Sequence, residues 1–144
     1  MGNYWSAEPT NCTVEPVNSY LYEITIENYQ ETIAKHEVVL LYIYTSWSCE
    51  YDHPIFEETA KRVHQLYPNG NVLIGRINAE TEPYLAKNKK RNFNVKFFPF
   101  VKLFYNGKSK GNDYRGKRTV EHFIQLIEDV FKNPKLKVDD YKWE

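Results

Sequence analysis

The order of strand-like and helix-like segments predicts an α/β domain, with a central mixed β-sheet flanked by helices on both faces. Three features predict it. Val38 to Tyr44 (VVLLYIY) is an unbroken run of β-branched, aliphatic and aromatic residues, the pattern of a central strand covered on both sides. Segments of strand character alternate with segments whose apolar residues recur at helical spacing, which argues for parallel strands joined by right-handed crossovers. Asn106-Gly107 then marks a tight hairpin, because both residues tolerate positive φ, so the sheet closes on an antiparallel edge.

Residues 1–18 are polar, include Pro9 and Pro16 and show no periodicity; they read as an extended arm. Leu21 to Ile24 is a short strand, after which Thr25 is placed to cap a helix with Ile26, Tyr29 and Ile33 inward. Beyond the central strand, Pro54 to Tyr67 reads as an amphipathic helix. Ile55, Phe56, Thr59, Ala60, Val63 and Leu66 share one side, and Glu57, Glu58, Lys61 and Arg62 the other. Pro68-Asn69-Gly70 stops it. Val72 to Asn78 is the next strand, and Glu82 to Lys90 a short helix entering a basic turn, Lys87 to Arg91. Phe100 to Tyr105 is the strand before the hairpin, and its returning partner is expected to end near Tyr114-Arg115-Gly116. Thr119 caps a last helix with Val120, Phe123, Ile124, Ile127, Val130 and Phe131 at helical spacing. Asn133-Pro134 ends that helix. The organisation is therefore an arm (1–18), one domain (19–132) and a charged tail (133–144).

A length of 144 residues supports a real core without disulfide staples or a metal. Lys plus Arg equals Asp plus Glu at 19 each, so no global field attracts nucleic acid or an anionic membrane. No apolar run approaches the roughly 20 residues of a membrane span. Met1 to Glu15 has neither a basic n-region nor an apolar h-region, so no signal peptide is expected in that stretch. Cys12 and Cys49 are the two cysteines, too few for a disulfide framework or a Cys-x-x-Cys redox pair. Asn11-Cys12-Thr13 matches the N-glycosylation acceptor pattern and tilts the reading toward the secretory pathway.

Four segments carry a resemblance. Tyr44-Thr45-Ser46-Trp47-Ser48 is similar to a strand-to-helix junction reading aromatic, small, small, Trp, Cys. Pro54 follows Cys49 by five residues, as a helix proline follows the second cysteine of a Cys-x-x-Cys. Phe98-Pro99-Phe100 and the apolar alternation after it resemble a cis-proline strand. Tyr114-Arg115-Gly116-Lys117-Arg118-Thr119 resembles the tyrosine–glycine–arginine turn before a last helix. Together, from Ser19 to Phe131, these resemble the a-type domains of the protein disulfide isomerase family. His53-Pro54-Ile55-Phe56-Glu57-Glu58 is further similar to endoplasmic-reticulum members that keep a single active-site cysteine and retain unassembled secretory proteins. The resemblance implies a thioredoxin fold, a cis Phe98–Pro99 peptide near the active-site loop, a location in the endoplasmic reticulum lumen and no cofactor. It leaves the oligomeric state open.

Two registers of the active-site loop stand. Counting back from Pro54 places Ser46 and Cys49 at the two cysteine positions; aligning Trp47 places Ser48 at the first. In both, serine occupies the nucleophile position. The family's chemistry needs a thiolate at a helix N-terminus, with its pKa lowered from ~8.5, to attack a disulfide, and a second thiol to resolve the mixed disulfide. Serine supplies neither. The buried carboxylate that catalytic members carry six residues before the first cysteine is Leu40 in one register and Tyr42 in the other. The expected function is therefore a non-catalytic domain binding unfolded or unassembled polypeptide in a groove rimmed by Trp47, Phe97, Phe98, Pro99 and Phe100. Two alternatives stay open: a monothiol enzyme or thiol trap using Cys49, and a structural module of a larger protein.

The blander readings are a buried structural thiol at Cys49, packing for Trp47, a solvated loop for Lys87, Lys89, Lys90 and Arg91, and an outer helix face for Glu57 and Glu58. A Cys12–Cys49 bridge remains an alternative, although nothing fixes the arm near the helix. His36, His53, His64 and His122 lack paired ligand spacing, so no metal site is expected.

Overall fold

In a computed structural model of the chain, the residues described are 19–45, 52–86, 98–112 and 114–141. Strand β1 is Tyr22–Glu23, helix α1 Tyr29–Lys35, β2 Val38–Tyr44, α2 Asp52–Leu66 and β3 Val72–Asn78. These are followed by α3 Pro83–Ala86, β4 Phe100–Tyr105, β5 Lys108–Ser109 and α4 Val120–Lys132. The sheet order is β1-β3-β2-β4-β5. β1, β3 and β2 are parallel to one another, β4 runs antiparallel to β2, and β5 antiparallel to β4. This is the α/β architecture that the alternation predicts.

Strand β2 is central because it can be nothing else: all seven of its residues are buried. Its period of two divides them between two cores. Leu40, Tyr42 and Tyr44 join Phe56, Ala60 and Val63 of α2 and Phe123, Leu126 and Ile127 of α4 on one face. Val39, Leu41 and Ile43 join Tyr29, Ile33 and Leu85 on the other. On the first face the aromatic rings form a column. Tyr42 stacks on Phe56 at 4.2 Å between centroids, Phe56 meets Phe123 at 4.7 Å, Phe123 meets Tyr114 at 5.5 Å and Tyr114 meets Tyr141 at 6.0 Å.

Several local expectations are corrected. The first helix starts later than Thr25: Asn28 is its N-cap, and the Asn28 side chain instead accepts from the Thr25 N–H at 2.9 Å. Ile26 therefore precedes the helix and is 44% exposed, not inward. Helix α2 begins two residues before Pro54, so the proline sits in the first turn, where its missing N–H has no partner to lose. Leu66, expected on the buried side, is 54% exposed. Helix α3 is described over Pro83–Ala86, and the rest of the expected span with the basic turn beyond it lies outside the described residues. The hairpin forms as expected, with Asn106 at φ 53° and Gly107 at φ 82°, but β5 has only two residues. Thr119 caps α4 as expected, accepting from the His122 N–H at 3.1 Å.

The segment after α4, read as a charged tail, is packed against the domain through Tyr141. A 3₁₀ turn at Val138–Asp140 buries Val138, and Leu136 and Tyr141 pack on the same core. Val138 N–H donates to the Lys110 carbonyl at 2.8 Å, and Asp139 accepts from Asn112 N–H at 2.8 Å. Gly111 makes this approach feasible: its φ is +106°, and a Cβ there would lie 3.0 Å from the Val138 nitrogen. Charge along 135–140 hides one apolar anchor at every second residue, Leu136 and Val138. Val138→Ala should destabilise the domain by about 1–3 kcal/mol in urea unfolding, an effect that a free tail would not show.

Candidate functional site

The end of the sheet where β2 stops holds Phe98 and Pro99, two of the residues that the resemblance singles out. Ile43 pairs with Phe100 across β2 and β4, so Phe98 and Pro99 lie just past the end of this ladder, near Thr45. The Phe98–Pro99 peptide is cis. Phe98 and Pro99 are partly exposed. Phe100 is not a groove residue: at 1% exposure it belongs to the core under α1 and α3, because strand alternation turns it inward with Phe104. Ser46, Trp47, Ser48, Cys49 and Phe97 lie outside the described residues, as do Cys12 and the acceptor pattern at Asn11.

Helix α2 enters this end through two anchored residues. Asp52, its first residue, accepts from the Arg118 guanidinium at 2.8 Å, with the two side chains 11% and 22% exposed. A carboxylate there also meets the positive end of the helix dipole. Arg118 immediately precedes the N-cap of α4, so the pair ties the starts of the two helices together.

His53, the second anchor, is buried at 7% exposure against β2 and β3. Its Nδ1 lies 2.7 Å from the Tyr42 hydroxyl and 3.3 Å from an Arg76 guanidinium nitrogen. A guanidinium can only donate, so Nδ1 is the acceptor and a neutral ring carries its proton on Nε2. That nitrogen faces the Glu57 carboxylate at 3.5 Å. Glu57 in turn accepts from the Ser19 hydroxyl at 2.8 and 2.9 Å, so it is not the solvated outer-face residue expected; Glu58, paired with Arg62, is. Arg76 is 3% exposed, pairs with Glu23 at 2.6 Å and lies over the Tyr44 ring at 5.6 Å. A buried cation without such partners would be prohibitive. Burial is the main force holding the Tyr42 hydroxyl in its neutral form, above the ordinary tyrosine range, with Arg76 opposing.

Tyr42, one of the two residues at the expected carboxylate position, thus donates to a histidine and sits beside an arginine. Leu40, the other, is fully buried in the apolar core. Among the described residues no group of three or more His, Cys, Asp or Glu side chains converges as a metal site. The Tyr42–His53–Arg76 cluster was not foreseen. The signal available was Arg76 itself, a charged residue inside the strand VLIGRIN.

The thioredoxin family pattern matches residues 21–129. The chain belongs to the thioredoxin family. Within it, this thioredoxin domain is similar to endoplasmic reticulum resident protein 44 of Homo sapiens, 28% identical over 129 residues, which cover 87% of this chain and 30% of that protein. Bloodstream-specific protein 2 of Trypanosoma brucei brucei is 33% identical over 105 residues, covering 73% of this chain and 20% of that protein. A crystal structure of human ERp44 superposes with a TM-score of 0.69 at 27% identity, covering 79% of this chain and 31% of that one. The first thioredoxin domain of mouse protein disulfide-isomerase A4 superposes at 0.65 with 25% identity, covering 77% of this chain and 75% of that one. This is a protein disulfide isomerase-like thioredoxin domain that spans about 30% of the endoplasmic-reticulum relatives it matches. Among the described residues no helix is long and apolar enough to cross a membrane.

Tyr114, in the turn before α4, donates to the Lys117 carbonyl and is 3% exposed. Burial pushes its hydroxyl up to about 12, against the opposing charge of Arg118. An unfolded tyrosine ionises near ~10, so the unfolded chain releases this proton first as pH rises. Stability should be intact below pH ~10 and fall by roughly 2–3 kcal/mol on the way to pH ~12. Urea midpoints across that range should show the loss, and Tyr114→Phe should make its slope shallower.

Proposed function

We propose that this thioredoxin domain is a non-catalytic binder of polypeptide that works in the secretory pathway. The observation that carries the reading is the chemistry around β2. Catalytic relatives in the resemblance use a buried carboxylate there to accept a proton from the second thiol. Here Leu40 is closed in by apolar side chains, and the Tyr42 hydroxyl is engaged with His53 beside a buried cation. A phenol held above its ordinary pKa is a poor proton acceptor at neutral pH. The serines at 46 and 48 argue the same way, since sulfur exchange has no oxygen counterpart. The lumenal location is supported by the names of the endoplasmic-reticulum resident relatives.

What remains for binding is the end of β4. Phe98 and Pro99 offer partly exposed apolar surface, and Trp47 is placed by sequence in the loop that links β2 to α2. In this mode an extended chain adds to backbone at the proline, with aromatic side chains selecting apolar segments. Phe100 takes no part.

Insulin reduction should be negligible beside that of a Cys-x-x-Cys isomerase, and comparable turnover would end the non-catalytic reading. Of Ser46→Cys and Ser48→Cys, the one in register with Cys49 should recover partial reduction, limited by the missing carboxylate. Trp47→Ala should weaken capture of a reduced, unfolded client by roughly 1–3 kcal/mol in a fluorescence titration while leaving the circular dichroism unchanged. Rapid alkylation of Cys49 at neutral pH, with mixed disulfides formed to the client, would favour the thiol trap instead.

A further inference from the structure

Helices α2 and α4 run side by side in the same direction, with Phe56 on Phe123 near their starts and Tyr67 5.7 Å from Phe131 near their ends. Between them lies a groove of about 370 Å³, at the lower end of the ~300–1,000 Å³ typical of binding clefts. On its α2 side it lies away from the Pro99 end of the sheet. Leu66 on its floor lies 14 residues beyond Asp52, about 21 Å along the helix.

The floor is apolar. Leu66 is 54% exposed and Ile124 lies beside it, partly buried. The rim is acidic. Arg62 is the one cation among the lining residues and is already bridged by Glu58 at 3.3 Å and Glu121 at 3.7 Å. Glu128, across the groove, has no ion-pair partner among the described residues. Helix α2 ends at the groove, so its terminal carbonyls add negative potential beside Leu66. The basic residues of the last turns, His64 and Lys132, are not among the lining residues, and His64 stacks on Tyr20 instead.

We propose that this groove docks a basic amphipathic helix of a partner polypeptide. Apolar side chains one turn apart would cover Leu66 and Ile124, and lysines or arginines beside them would meet Glu121 and Glu128. The spacing of Glu121, Ile124, Gln125 and Glu128 along α4 presents two turns to such a helix, the geometry of helix-in-groove recognition. An acidic peptide would be repelled by the same rim.

The probe is a synthetic helical peptide with leucines at i and i+4 and flanking lysines, compared by calorimetry with a twin carrying glutamates for the lysines. The lysine peptide should bind and the glutamate twin should not. Leu66→Asp should weaken binding about tenfold or more, the effect of losing an apolar anchor. Glu128→Lys should weaken it several-fold at low salt, with the difference fading at high salt. Both positions are at least partly exposed, and unchanged thermal unfolding of the variants would establish that the fold survives. Equal binding of the two peptides, indifference to both substitutions, or no binding at all would overturn the proposal. So would a concentration-dependent dimer abolished by Leu66→Asp, which would assign the groove to a second copy of the chain.

Discussion

Every residue of β2 is buried, and the other elements are arranged to keep it so. A strand with two apolar faces needs a partner along each edge and a layer of helix on each side. β3 and β4 supply the edges, α2 and α4 one cover, and α1 and α3 the other. Because the alternation along β2 is strict, each residue's core is decided by parity: even-numbered side chains face α2 and α4, and odd-numbered ones face α1. The same parity, continued across the ladder into β4, removes Phe100 from the surface and leaves Phe98 and Pro99 at its margin.

A strand sealed in this way tolerates a polar group only where a partner is built for it. Tyr42 carries a hydroxyl into the layer on the α2 face, and His53 and Arg76 answer it. Arg76 draws in Glu23, and Glu57 faces the His53 ring and binds the Ser19 hydroxyl at the root of the domain. The position of α2's first turn is thus set by hydrogen bonds to the central strand as well as by apolar packing. The Asp52–Arg118 pair fixes the same turn from the side of α4. A polar cluster in this place is expensive if half satisfied and rigid when complete.

The fold was legible because periodicity reports burial, and burial of β2, β3, β4 and α4 is strong and local. The residues that misled did so where tertiary contact overrides pattern. Ile26 has helical spacing to Tyr29 and Ile33, yet Asn28 closes a turn on Thr25 and starts the helix later. Leu66 has the spacing of Val63 but falls where α2 and α4 leave a groove. Leu136 and Val138 were masked by their charged neighbours, since two apolar residues in a basic and acidic run carry no periodic signal. The carboxylate position and its occupants, Leu40 or Tyr42, could be found by counting, whereas the partners of Tyr42 could not: His53 and Arg76 are 23 residues apart and meet only once α2 crosses the sheet.

The column of rings from Tyr42 through Phe56, Phe123 and Tyr114 to Tyr141 runs from the innermost strand to the last described residue of the chain. Rings held in fixed, asymmetric contact give near-ultraviolet circular dichroism, which vanishes when tertiary packing loosens even if helices persist. This domain therefore carries a built-in optical gauge whose two ends report different events. Loosening at Tyr141 would dim one end of the column while the far-ultraviolet signal of the helices stayed constant. Failure of the sheet interior would extinguish both together.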